Sequence, residues 1–189
     1  VYPLKDYKRF KSSVSIYQKY LVDSKRNEGF SKKPGLLIVA GVMSAQWCQL
    51  WSILVGAYKN NNYNVFVLTS KSEPIQNLYF RLFNIKNIYI EDLNIESVIL
   101  DKSLVEKINQ LEGFESIKGF EDDGAPIGKM ALSTYSRMQA SGIMDVDAPE
   151  SLAQVRWWML YICKAMRAAS KLYEKNNISM LFFTELFMD

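Results

Sequence analysis

The sequence contains no histidine. That absence removes the Ser-His-Asp triad, the Cys-His pair and every zinc site that relies on imidazole, so a general base must come from Asp, Glu, Lys or Tyr. Cysteine is scarce as well. Cys48 and Cys163 each sit in an apolar helical pattern and are expected to be buried free thiols, which suits a reducing compartment. No apolar run reaches the roughly 18 residues that span a bilayer. No continuous apolar stretch follows the basic residues at the start, so no signal peptide is expected there. Charge of one sign is also lacking: 23 basic against 20 acidic residues leave a net charge of +3, too little to argue for nucleic acid as a partner.

What is present is apolar and aromatic material in quantity, with 49% hydrophobic and 13% aromatic residues in 189. That is ample for the core of a domain of ordinary size. Residues 4–27 carry Leu4, Tyr7, Phe10, Val14, Tyr17 and Leu21 at three- and four-residue steps with lysines between them, the pattern of an amphipathic helix. Pro34-Gly35 closes it, and Leu36-Leu37-Ile38-Val39-Ala40 follows as a strand apolar on both faces. A helix is expected over 45–59, with Ser44 as its cap, then a strand at 65–68, a helix at 72–83 and a strand at 87–90. Residues 104–111 read as helix, 113–124 as loop and 128–140 as a short helix.

The longest helix is expected next. Asp147, Pro149 and Glu150 form its start, a stripe from Leu152 to Tyr173 its buried face, and Asn176-Asn177 its end. Residues 180–183 then read as another buried strand. Strands alternating with helices give an α/β class: a Rossmann-like open parallel sheet with flanking helices, preceded by the amphipathic helix. The division is a basic segment 1–30 and a domain 35–189. The ending Phe-Met-Asp lies within an apolar run, so the chain is expected to stop before a further domain.

In such a sheet, ligands collect beyond the carboxyl ends of the strands. Three stretches qualify: 41–46, 69–73 and 184–189. Gly41 permits a sharp turn, and the N–H groups opening the next helix favour an oxygen-rich ligand. The glycines of a dinucleotide fingerprint are missing, however, and Met43, Ala45 and Gln46 stand where the backbone would have to approach closely. A plain strand-to-helix turn is equally compatible. Glu185, just past a strand, is the best-placed base, though it can equally cap a following helix. Asp122 and Asp123 beside Gly124 suit a solvated turn. Of Trp157 and Trp158, one must face partly away from the core stripe, which suits packing against another layer better than a sugar platform. The basic first segment either packs on the domain or lies on an anionic membrane surface.

These residues bear a family resemblance. Gly35 to Gly41, a helix, and then Asn64 to Ser70 resemble the opening of a GT-B glycosyltransferase. The segment Asp123-Gly124-Ala125-Pro126-Ile127-Gly128, then Ser133-Thr134-Tyr135-Ser136-Arg137 and Asp145-Val146-Asp147, resembles a signature of bacterial capsule and surface-polysaccharide biosynthesis proteins. In that family the long helix leads into a strand ending in an acidic residue, which Phe182-Phe183-Thr184-Glu185 matches. The resemblance spans residues 35–189 and implies the acceptor-side half of a two-domain transferase. Gly41, Met43, Ser44, Gln46, Asp123, Tyr135 and Arg137 would line the acceptor side and Glu185 would be the base. It implies a saccharide acceptor as partner, a nucleotide-sugar donor bound by a second domain, and no metal or cofactor in this chain. A cytoplasmic location follows, peripheral at the inner membrane face through residues 1–30. Two alternatives share the expectation: a nucleotide-sugar 2-epimerase of the same architecture, and a non-catalytic membrane-docking or assembly module.

Overall fold

A computed structural model describes residues 4–21, 33–41, 45–60, 62–138 and 148–183. Helix α1 (Leu4–Leu21), strand β1 (Gly35–Val39), helix α2 (Ala45–Asn60), strand β2 (Asn64–Thr69), helix α3 (Pro74–Arg81) and strand β3 (Lys86–Tyr89) come first. Two 3-10 turns follow, then helices α4 (Lys102–Asn109), α5 (Phe114–Lys118), α6 (Ile127–Met138) and α7 (Pro149–Asn176), and strand β4 (Ile178–Phe183). The class is α/β: the four strands form one all-parallel sheet in the order β3-β2-β1-β4, a Rossmann-like arrangement with flanking helices. Among the described residues no helix is long and apolar enough to cross a membrane.

The chain divides into two compact units, residues 1–93 with 172–189, and residues 94–171. The first holds the sheet. Leu36, Leu37 and Ile38 of β1 are at most 1% exposed, because the strand is paired on both edges and covered on both faces. Burying each such side chain contributes about 1.5–3 kcal/mol. Cys48, Val55, Val67, Tyr79 and Phe80 complete that core. Helix α1 packs Tyr7 and Phe10 against the Tyr79 ring, at centroid distances of 5.3 and 5.4 Å. Val14 is buried as well, so the apolar face of α1 packs on the domain from Tyr7 to Val14, while Leu4, Lys5, Lys8, Arg9 and Lys11 are exposed.

The second unit is helical. Leu104, Ile108, Ile117, Ile127, Ala131 and Met159 are among the residues of its core. Residues 113–124 are not all loop, as the sequence suggested. Helix α5 lies within them, a single turn too short to show a period, held because Ile117 is fully buried. Strand β4 also differs from the expected buried strand. It lies at the edge of the described sheet, paired on one side, and Phe183 is 60% exposed. Neither cysteine is in a disulfide and both are buried, as expected; burial is the leading cause that pushes the Cys48 thiol up to about 12 and the Cys163 thiol to about 11.

Two glycines mark points where backbones touch. A Cβ on Gly35 would stand 2.6 Å from the Asn176 carbonyl oxygen, where α7 turns into β4. One on Gly128 would overlap the Ile117 carbonyl, in a second unit where the Gly128 N–H already donates to Phe120 O at 3.1 Å. Gly128→Ala is therefore expected to destabilise the second unit by on the order of 3 kcal/mol. Urea denaturation measures this, and alkylation of the sheltered Cys163 thiol should speed up in parallel; an unchanged midpoint would contradict the close approach.

Candidate functional site

The sheet order fixes where a ligand site belongs. From β1 the chain moves to β2 and β3 on one side, and β4 returns on the other, so the order reverses between β1 and β4. That switch point is where open parallel sheets leave a crevice at the carboxyl ends. Val39, the last residue of β1, pairs there with Leu68 on one side and Phe183 on the other, and Ala40 N–H continues the ladder to Leu68 O at 2.9 Å. Gly41 follows, half-buried, where the rule puts the mouth of such a crevice.

A buried polar network holds that mouth. Gln76 on α3 is completely buried, and its side-chain amide donates to the Gly41 carbonyl at 2.9 Å and to Thr69 Oγ1 at 3.3 Å. Thr69, also fully buried, donates its hydroxyl to Asn77 Oδ1 at 2.9 Å. Asn77 then donates to Ser70 O at 2.9 Å, and Asn87 on β3 donates to Asn77 O at 3.3 Å. Gly41 just after β1, Thr69 and Ser70 at the end of β2, and Asn87 within β3 are thus tied through one short helix. Each such bond contributes about 1 kcal/mol, but an orphaned buried partner costs about 1–3 kcal/mol. Sequence reasoning singled out 69–73 and missed Gln76 and Asn77. The available signal was their position: Gln76 lies three and four residues before the buried Tyr79 and Phe80, on one helical face.

The rim beside this network is charged. Glu91, two residues past β3, accepts from Ser70 Oγ at 2.5 Å and from Lys71 N at 3.1 and 3.2 Å. The Ser70 hydroxyl is the leading cause holding the Glu91 carboxyl below its ordinary 4.5. Lys71 Nζ in turn meets Asp92 Oδ1 at 2.5 Å, and that hydrogen bond raises the lysine. Both pairs are exposed and solvent-screened, so they shape the β2–α3 turn more than they stabilise it. A carboxylate so held is a fixed anionic acceptor and a poor base.

The residues expected from the sequence fall in three places. Met43, Ser44 and Glu185 lie outside the described residues. Gln46 lies exposed in the first turn of α2, in the same unit as Gly41. Asp123, Tyr135 and Arg137 belong to the second unit. There, Asp123 and Gly124 have φ of 50° and 75°, and Asp122 and Ala125 exchange backbone hydrogen bonds at 3.1 and 2.9 Å, a tight two-residue turn. Arg167 of α7 clamps it, reaching Asp122 at 2.9 Å and Asp123 at 2.6 Å. Asp122 is therefore no solvated turn residue, its side chain being only 15% exposed. Tyr135 is buried and its hydroxyl donates to Ser151 Oγ at 3.1 Å, tying α6 to α7. Arg137 sits exposed in the last turn of α6. Two residues apart on a helix point to different faces, so Tyr135 and Arg137 do not converge.

Gln76→Ala is expected to cost about 1–3 kcal/mol in thermal or urea unfolding, because Gly41 O and Thr69 Oγ1 lose their shared donor. Glu91 carries a pH signature. Its folded value is depressed, so its contribution is complete above the ordinary 4.5 and fades as pH falls below that toward the depressed value. A carboxyl-carbon NMR titration should place the Glu91 midpoint below 4.5, and Ser70→Ala should move it back up.

Comparison with known proteins finds no matching protein family, no similar curated protein and no matching solved structure.

Proposed function

We propose that this chain is the acceptor-side domain of a GT-B-type glycosyltransferase acting in bacterial surface-polysaccharide synthesis. One observation carries the reading: β4 pairs in parallel with β1, so the sheet has its switch point at the end of β1, where Gly41 follows; in the sequence Glu185 comes two residues after the end of β4. A carboxylate two residues past the strand and a half-buried loop carbonyl are the groups a hydroxyl-bearing acceptor needs beside it. The resemblance of residues 123–147 to surface-polysaccharide biosynthesis proteins supplies the substrate class.

In this reading the Gly41 loop and the opening of α2 hold acceptor hydroxyls, with Met43, Ser44 and Gln46 around them. The Gln76–Thr69–Asn77 network keeps that loop from relaxing, which is positioning rather than chemistry. An acceptor oxygen attacks the anomeric carbon of a nucleotide-activated sugar held by a donor-side domain. Its proton passes to the Glu185 carboxylate, the bond from the anomeric carbon to the diphosphate oxygen breaks, and the nucleotide leaves with that electron pair. The exposed Lys5, Lys8, Arg9 and Lys11 of α1 give an electrostatic contact to anionic lipid at the cytoplasmic membrane face.

The intact protein, incubated with a panel of nucleotide-activated sugars and saccharide acceptors, should release nucleotide. Glu185→Gln should lower that turnover by about 10²–10⁴-fold while acceptor binding survives. Unchanged turnover removes Glu185 as the base, and no turnover with any donor sinks the assignment.

A further inference from the structure

A groove of about 460 Å³ opens within the second unit. One wall is α7, presenting Trp157, Leu160, Tyr161 and Lys164 at helical spacing. The other is the stretch between a 3-10 turn (Ile95–Ser97) and α4, where Val98 and Leu100 are half-buried and Ile99 is 94% exposed. The volume suits a small ligand.

Trp157 is the unusual element of this lining. It is 51% exposed although tryptophan is the most costly side chain to leave in water. It is also fixed in orientation. Tyr161, one helical turn on, stacks with it at 5.4 Å and 15°, and Trp158 meets it edge-on at 4.7 Å and 81°. An aromatic plate held in place loses little entropy when a ligand settles on it. The sequence suggested packing against another layer for such a tryptophan; the structure gives it a groove instead.

The polar groups of the lining narrow the ligand class. Lys164 donates to the Glu96 carbonyl at 3.0 Å, which uses one of its three N–H bonds. Ser97 donates its hydroxyl to Asn94 O at 2.7 Å, leaving its oxygen as an acceptor. The Glu96 carboxylate adds acceptors, and the Tyr161 hydroxyl and Trp157 indole N–H add donors. Lysine and glutamate cancel, so the groove has no net charge to hold a phosphate or nucleotide. The lining thus combines donors and acceptors with an aromatic plate and apolar walls. A pyranose is built the same way, with hydroxyls at its edge and C–H bonds on its face.

We propose that this groove is a binding subsite for a neutral saccharide, its ring face on Trp157 and its hydroxyls toward Lys164, Glu96 and Ser97. The groove thereby names the acceptor as uncharged at this subsite; that role rests on the glycosyl-transfer reading, whereas binding itself does not. Isothermal titration and saturation-transfer NMR of the full chain with maltose, cellobiose, lactose and N,N′-diacetylchitobiose provide the test. Saturable binding of at least one is expected. Trp157→Ala should weaken it about tenfold, and Tyr161→Ala should weaken it less. Ile53→Ser, an exposed change on α2, should leave it intact. Circular dichroism and melting temperature confirm that each variant is folded.

Absence of saturable binding to all four sugars overturns the proposal. So does binding that survives both aromatic substitutions, or a groove that takes inorganic phosphate or uridine diphosphate instead. Saccharide binding at Trp157 in a protein that transfers nothing would leave this inference standing and remove the transferase reading. Transfer with an acceptor KM unmoved by Trp157→Ala would do the reverse.

Discussion

The pairing of β4 with β1 is the contact on which the architecture turns. Parallel neighbours cannot be joined by a tight turn, so each needs a crossover connection. Between β1 and β2, and between β2 and β3, a single helix suffices. Between β3 and β4 the chain runs through the whole second unit before α7 delivers it back beside β1. The return is seated tightly. Gly35 N–H donates to Asn177 O at 2.8 Å, Asn177 adopts a φ of 51°, and no side chain fits on Gly35 beneath the end of α7. A larger residue at position 35 would displace the point where helix becomes strand.

That closure has consequences at both ends of the sheet. At the amino ends it places the α7–β4 joint against Gly35. At the carboxyl ends it creates the reversal of strand order, and with it the place, at Gly41, where a crevice mouth is expected. A mouth lined by backbone alone would be soft. The buried Gln76, Thr69 and Asn77 stiffen it, because an amide that loses its partner in an apolar setting costs more than the bond is worth. The second unit is braced by different means. Arg167 gathers Asp122 and Asp123, Tyr135 reaches Ser151, and Gly128 lets α6 start against the Ile117 carbonyl. Asp123, Gly128 and Tyr135 are thus occupied in holding this unit's turn and helices together. Trp157, in contrast, is half exposed on a held stack and lines the groove.

The apolar runs and their flanking glycine, proline and asparagine residues were enough to read the α/β class. Leu36 to Ala40 is apolar on both faces because β1 is covered on both faces, and five residues suffice to show it. The long stripe of α7 is legible for the same reason, since a pattern repeated over seven turns outweighs any local irregularity. Helix α5 was not legible, because one turn has no period. The exposure of β4 was not legible either: Met180-Leu181-Phe182-Phe183 is as apolar as β1, and whether such a strand is covered depends on its neighbours.

For the candidate sites the same division holds. Sequence alone determined the element types, the absence of imidazole chemistry, the buried thiols, and the aspartates and glycine that make the turn at 122–125. Those are local matters, decided by what one residue's backbone or one helical face requires. Only the tertiary structure decided that Gln76 reaches Gly41, 35 positions earlier, that Arg167 reaches Asp122 and Asp123, 45 and 44 positions away, and that Tyr135 points inward while Arg137 does not. It also decided that Trp157 stands at a groove. A hydrogen bond or a stacked ring needs positions fixed to within an ångström, and that precision comes from packing between elements, which no stretch of sequence encodes by itself.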